Sequence, residues 1–180
     1  MRTTSWCCAG GGVEEAMQVV HRVLERLGLS LNEAKTRTVD ATEASFEFLG
    51  FSIRMSRGRR SGKPYPHMCP SAKSLMKIKT KLKALTGREL TPIALPAIVG
   101  NMNRSLRGWA NYFHYRNSSH AMEKVKTHAE QRLRVHLMKR HGVHDRRIGE
   151  GRFPSVQLYR RYGLIKLPTV AGWRSAHARA

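Results

Sequence analysis

Between Ser71 and His141 apolar residues return every three or four positions in three separate runs, a periodicity that admits little besides a small bundle of amphipathic helices. Following Pro70, Ser71 is placed to cap a helix whose Leu75, Ile78, Leu82 and Leu85 share one face, while Lys73, Lys77 and Lys81 form a row four residues apart on another. A second helix, starting near Thr91-Pro92 or Pro96, sets Leu95, Ile98, Met102, Leu106, Trp109 and Phe113 on one stripe. The third spans Ser119 to His141, with Met122, Val125, Ala129, Leu133 and Leu137 as its core contacts. His120, Lys124, His128, Arg132, His136 and Arg140 recur every four residues along it as a basic ridge expected at the surface. Short connections make the three an antiparallel bundle.

Upstream, Val13, Ala16, Met17, Val20, Val23, Leu24 and Leu27 predict a helix, and Gly28 stands where a left-handed cap belongs. Lys35 to Val39 and Phe46 to Ile53 read as two strands, the second with aromatic rings at Phe46 and Phe48. The fold class is therefore mainly α: a three-helix basic bundle preceded by a small β-α-β-type α+β segment. Ser56 to Pro70 mixes cations with glycines and prolines and reads as a mobile basic linker. Residues 149–180, with Gly149, Gly151, Pro154, Gly163 and Pro168, read as an irregular tail containing one short helix near Val156 to Tyr162.

Charge narrows the function. Residues 1–55 carry six Lys/Arg against seven Asp/Glu, and residues 56–180 carry 27 against five, within a chain of net charge +21. So one-signed a surface repels itself and suits a phosphate backbone, whose condensed counterions it displaces. No apolar stretch is long enough for a membrane span or a signal peptide, so the expected compartment is cytoplasmic. Cys7, Cys8 and Cys69 have neither disulfide nor zinc spacing and read as free thiols. His141-Gly142-Val143-His144-Asp145 lacks the further ligands of a metal site and reads as basic surface, so neither metal nor cofactor is expected.

Ser105 to Phe113 gathers an arginine, an amide and aromatic rings within a few helical turns, a combination suited to phosphate pairing and base stacking. Trp109 and Phe113, one turn apart, are expected in the core, leaving Arg104, Arg107, Tyr112 and Arg116 as contact candidates. Leu106-Arg107-Gly108-Trp109-Ala110-Asn111-Tyr112-Phe113, preceded by Gly28-Leu29-Ser30-Leu31-Asn32-Glu33-Ala34-Lys35-Thr36 and by Phe48-Leu49-Gly50-Phe51, resembles bacterial group II intron reverse transcriptase/maturases. Leu158-Tyr159-Arg160-Arg161-Tyr162-Gly163-Leu164 and Gly172-Trp173-Arg174 resemble the tail of the same proteins. The resemblance implies a palm remnant at 13–55, the linker at 56–70, the maturase-specific domain X, or thumb, at 71–148, and the tail at 149–180. It also implies intron RNA as partner and places Lys35 near a primer or template backbone.

The first twelve residues depart from the family, whose members carry Tyr-Ala-Asp-Asp before the palm helix to hold the metal ions of phosphoryl transfer. Asp40 and Asp145 are the only aspartates, and neither stands there. Writing Met1 to Gly10 as ATG CGG ACG ACT TCG TGG TGC TGT GCC GGG behind a leading T, the shifted frame gives Tyr-Ala-Asp-Asp-Phe-Val-Val-Leu-Cys-Arg. A frameshifted or truncated gene is the expectation. The chain is accordingly expected to bind intron RNA and assist splicing without catalysis of its own, Mg2+ belonging only to the full-length family enzyme. Lys73, Lys77, Lys79, Lys81, Arg104, Arg107, Arg116, Arg132 and Arg134 are the expected backbone contacts and Tyr112 a stacking platform. His120, His128 and His136 are expected to add charge near pH 6 and strengthen binding. The rival readings are a palm and thumb fragment working with a trans-acting reverse transcriptase fragment, and a gene product without a selected role.

Overall fold

A computed structural model describes residues 12–30 and 39–169. The chain separates into two compact units at the Asp40–Ala41 junction. In the first, helix α1 (Val13–Arg26) closes as its sequence requires: Gly28 has φ +67°, and the Leu29 and Gly28 amides donate to the Leu24 and Glu25 carbonyls at 2.9 and 3.0 Å. The strand expected at Lys35 to Val39 lies mostly outside the described residues, as does Lys35 itself.

The second unit opens with a three-stranded antiparallel sheet, β1 (Phe46–Phe48), β2 (Phe51–Arg57) and β3 (Pro64–Pro70), in that order. Two expectations change here. The single strand expected over Phe46 to Ile53 is broken by a two-residue hairpin turn, with Leu49 at φ +47°, Gly50 at φ +81° and Phe48 opposite Phe51. Gly50 is required: a Cβ there would lie 2.8 Å from Ser74 Oγ and 3.2 Å from Phe113 Cζ.

The linker and domain boundary expected at 56–70 are instead the second hairpin, paired from Phe51↔Pro70 to Arg57↔Pro64. Its prolines are tolerated because β3 is an edge strand, and Pro64, Pro66, Met68 and Pro70 fall on alternate positions whose amides face away from β2. Met68, the one of the four with an N–H, donates it to Asn117 Oδ1 at 3.3 Å, and its carbonyl accepts from Asn117 N–H at 3.0 Å. The loop beyond α3 thus caps the open edge.

Three helices follow: α2 (Ala72–Ala84), α3 (Leu95–Phe113) and α4 (Ser119–Arg140), with a 3-10 turn at Arg88–Leu90 before α3. Ser71 caps α2 by accepting from Ser74 N–H at 3.2 Å. The expected stripes meet: Ile78 and Leu82 of α2, Ile98, Met102, Leu106, Trp109 and Phe113 of α3, and Met122, Val125, Ala129, Leu133 and Leu137 of α4 are all buried in one core. Two short helices, α5 (Arg146–Arg152) and α6 (Ser155–Arg160), complete the unit. The segment expected as an irregular tail belongs to this core, since Phe153, Leu158, Leu164 and Leu167 are buried in it. Its α5 escapes a sequence reading because Gly149 and Gly151 interrupt it. Asp145 caps that helix by accepting from the Arg147 and Ile148 amides, and Gly149 lets it approach Met138 closely.

The sheet is tied to the bundle at the first turn. The Gly50 carbonyl accepts from Ser71 N–H and Ser74 Oγ, both at 2.8 Å. Phe51 packs against Phe113 with tilted rings whose centres are 5.0 Å apart, and Tyr112 Oη donates to the Leu49 carbonyl at 3.1 Å. No helix among the described residues is long and apolar enough to cross a membrane.

Candidate nucleic-acid interface

Because α2 buries only Ile78 and Leu82, its lysines are turned outward. Lys73, Lys77, Lys81 and Lys83 are exposed and Lys79 is half-buried. The side chain of Lys73 is 87% exposed and pairs with Glu47 of β1 at 3.2 Å, an ion pair worth under about 1 kcal/mol in water and readily exchanged for a phosphate. On α3, Arg104 and Arg107 stand one turn apart opposite the buried stripe, Arg104 bonded to Asn101 Oδ1 at 3.2 Å.

The remaining candidates have partners within the fold. Tyr112 is half-exposed and packs one side against Phe51 and Phe113. Arg116, at φ +46°, lies 5.5 Å from the ring centre of Tyr115. Arg134 bonds the Phe153 carbonyl at 3.0 Å and Ser155 Oγ at 3.1 Å, joining α4 to α6. Beside it Glu130 accepts from Ser155 Oγ at 2.7 Å and from Tyr159 Oη; burial and the Glu130 carboxylate hold the Tyr159 hydroxyl well above the usual phenol range. Sequence reasoning missed this network, whose members are 25 and 29 residues apart.

The basic ridge of α4 is largely a seam. His128 Nε2 lies 3.3 Å from the Lys79 carbonyl, Arg132 bonds Thr86 Oγ1 at 3.0 Å and the Thr86 carbonyl at 3.3 Å, and Arg140 bonds the Thr91 and Ile93 carbonyls at 3.0 and 2.7 Å. His136 is fully buried. This side of α4 packs on α2 and the loop after it, where the carbonyls of Thr86, Thr91 and Ile93 accept from its arginines. Burial pushes the imidazoles of His128 and His136 below their ordinary value; their backbone contacts oppose that, and neighbouring cations reinforce it. These two histidines therefore resist charging near pH 6, contrary to expectation; His120 and Lys124 alone of the ridge are exposed without a bond into the fold.

Among the described residues, no three His, Cys, Asp or Glu side chains gather as a metal-binding set. His141 stacks on Phe153 at 5.5 Å. Cys69 is a half-buried free thiol, its ionisation opposed by burial.

Of the seven acids in residues 41–180, five have partners: Glu47 with Lys73, Glu123 with Lys126, Glu150 with Arg146, Asp145 at its helix cap and Glu130 in its network. Glu43 and Glu89 remain exposed, yet residues 41–180 carry 28 Lys/Arg against seven Asp/Glu, so the fold and surface together define a basic helical module suited to polyanions. Residues 75–150, from α2 into α5, match the family model described as group II intron, maturase-specific domain, which supports a fragment of a group II intron maturase. No curated protein matches the chain.

Proposed function

We propose that this chain binds folded group II intron RNA and stabilises its splicing-competent form, the RNA supplying the chemistry. The observation that carries the reading is the outward lysine row of α2, Lys73, Lys77 and Lys81, within a unit that carries 28 Lys/Arg against seven Asp/Glu and most of which matches a maturase-specific domain. Arg104 and Arg107 extend the set of cations. Phosphate neutralisation requires log affinity to fall linearly with log salt, by roughly 0.7 to 0.9 per phosphate. The test is filter binding of a group II intron transcript against a size-matched unrelated RNA across a salt series. A steep slope with preference for the intron is expected, and a flat slope overturns the proposal.

A second reading is favoured by α1. Val19, Val23 and Leu27, four residues apart, are 55%, 50% and 66% exposed, an apolar row suited to the body of a polymerase supplied in trans. Mixing the chain with a fingers-and-palm fragment separates the two: reverse transcription appearing only in the mixture favours the second.

A further inference from the structure

Forty-one consecutive residues between Glu47 and Glu89 contain no acid and eleven Lys/Arg, and the fold divides them between the β2–β3 hairpin and α2. The tip of that hairpin carries Arg59, Arg60 and Lys63, all exposed, on a closed loop. The Gly58 amide donates to the Lys63 carbonyl at 2.9 Å, the Gly62 amide donates to the Gly58 carbonyl at 2.8 Å, and Gly62 sits at φ +63°. The cations are therefore held at the end of a two-stranded ribbon that, at about 3.3 Å per residue, extends roughly 20 Å.

The two faces of this ribbon differ. Phe51 and Ile53 of β2 and Met68 of β3 turn toward the aromatic end of α3. The opposite face presents Arg54, exposed, across from His67, with Tyr65 one pair nearer the tip. On that same face Glu47 stands opposite Ser52, and its carboxylate is held by Lys73, the first lysine of the α2 row. The lysine row thus meets the ribbon at Lys73, and on this face of β2 Arg54 is the exposed cation between that junction and the tip residues Arg59 and Arg60.

We infer that the β2–β3 hairpin is a second RNA-binding element, its tip arginines contacting the phosphate backbone of the strand that lies along the α2 lysines. The inference rests on the chain being an RNA binder. Backbone contact is the chemistry the residues favour: from Gly58 to Gly62 there is no ring to stack on a base and no amide side chain to read one. The element therefore contributes affinity and salt dependence through its charge.

The test uses the full chain and its Arg59→Gln/Arg60→Gln variant in filter binding with a group II intron transcript across a salt series. Arg160→Gln/Arg161→Gln, the same charge change on and just after α6, is the control. The expected result is a hairpin variant whose log-log salt slope is shallower by roughly 1.4 to 1.8, the share of two phosphates no longer neutralised, and a control slope close to the parent's. If the parent binds steeply and the hairpin variant matches it, or the control's slope falls by as much, the hairpin proposal falls and RNA binding by the bundle stands. A parent that binds no RNA ends both readings. Loss of binding to phosphatidylserine vesicles with RNA binding intact also overturns the proposal, by assigning the tip to a membrane surface.

Discussion

Two glycines in α5 do opposite things. A Cβ on Gly149 would collide with Met138 Sδ and lie 2.8 Å from Cγ, and Met138 is itself buried, so Gly149→Ala overpacks the α4–α5 contact. The expected cost is about 1–3 kcal/mol, less the fraction of a kcal/mol that alanine returns in helix propensity. Gly151 has nothing within 4 Å of its would-be Cβ, so Gly151→Ala should be neutral or stabilising by up to about 1 kcal/mol. Urea denaturation of the two variants reads the difference directly. Titration adds a second residue-scale expectation. His136 is fully buried and its imidazole is held below the ordinary value of 6.5, so the unfolded chain takes up a proton before the native one does. Its contribution to stability is present above pH 6.5 and is lost as pH falls toward the depressed folded value; His128 acts the same way. The melting temperature should therefore fall from pH 7 to pH 5, and His136→Leu, which removes the buried titrating imidazole, should flatten that fall.

At the scale of elements, the contact between α4 and the end of α2 separates structural cations from binding ones. Arg132 gives two bonds to Thr86, whereas Lys77 is exposed on the outward face of α2. Arg132→Gln should cost about 1–3 kcal/mol in stability with little change in the salt slope of RNA binding, and Lys77→Gln should do the reverse, lowering the slope by about 0.7 to 0.9, the value of one phosphate. Thermal melts paired with filter binding distinguish them. The same contrast explains what was legible in the sequence. The buried stripes of α2, α3 and α4 follow from a 3.6-residue period, and so does the outward lysine row, because a helix must turn its lysines away from its own apolar face. Spacing also puts His128, Arg132, His136 and Arg140 near one side of α4, yet it carries no information about which neighbour covers that side. The loop after α2 covers it, through Thr86, Thr91 and Ile93, and makes the ridge a seam. The hairpin was hidden for a different reason. Pro64, Pro66 and Pro70 punctuate a sequence as a linker does, and only the edge position of β3, with Asn117 closing the remaining amide, makes them compatible with a strand.

For the whole molecule, the decisive quantity is where the charge lies relative to the division of the chain. Residues 1–40 hold five Lys/Arg and five Asp/Glu, so the entire net charge of +21 belongs to residues 41–180, which form a compact unit containing the sheet, the bundle and both proposed RNA-binding elements. Counterion release depends on the cations that meet phosphates, and a segment of zero net charge changes that number only if it lies in the interface. Residues 41–180 expressed alone are therefore expected to unfold cooperatively and to bind a group II intron transcript with the salt slope of the full chain. The reading in which the chain completes a polymerase in trans requires the opposite emphasis, because the exposed row of Val19, Val23 and Leu27 is removed with the first unit. A truncated chain that keeps the slope but no longer supports reverse transcription in a mixture assigns RNA binding to the second unit and assembly to α1. A slope that falls on truncation by the value of two or more phosphates places cations of the first unit at the RNA.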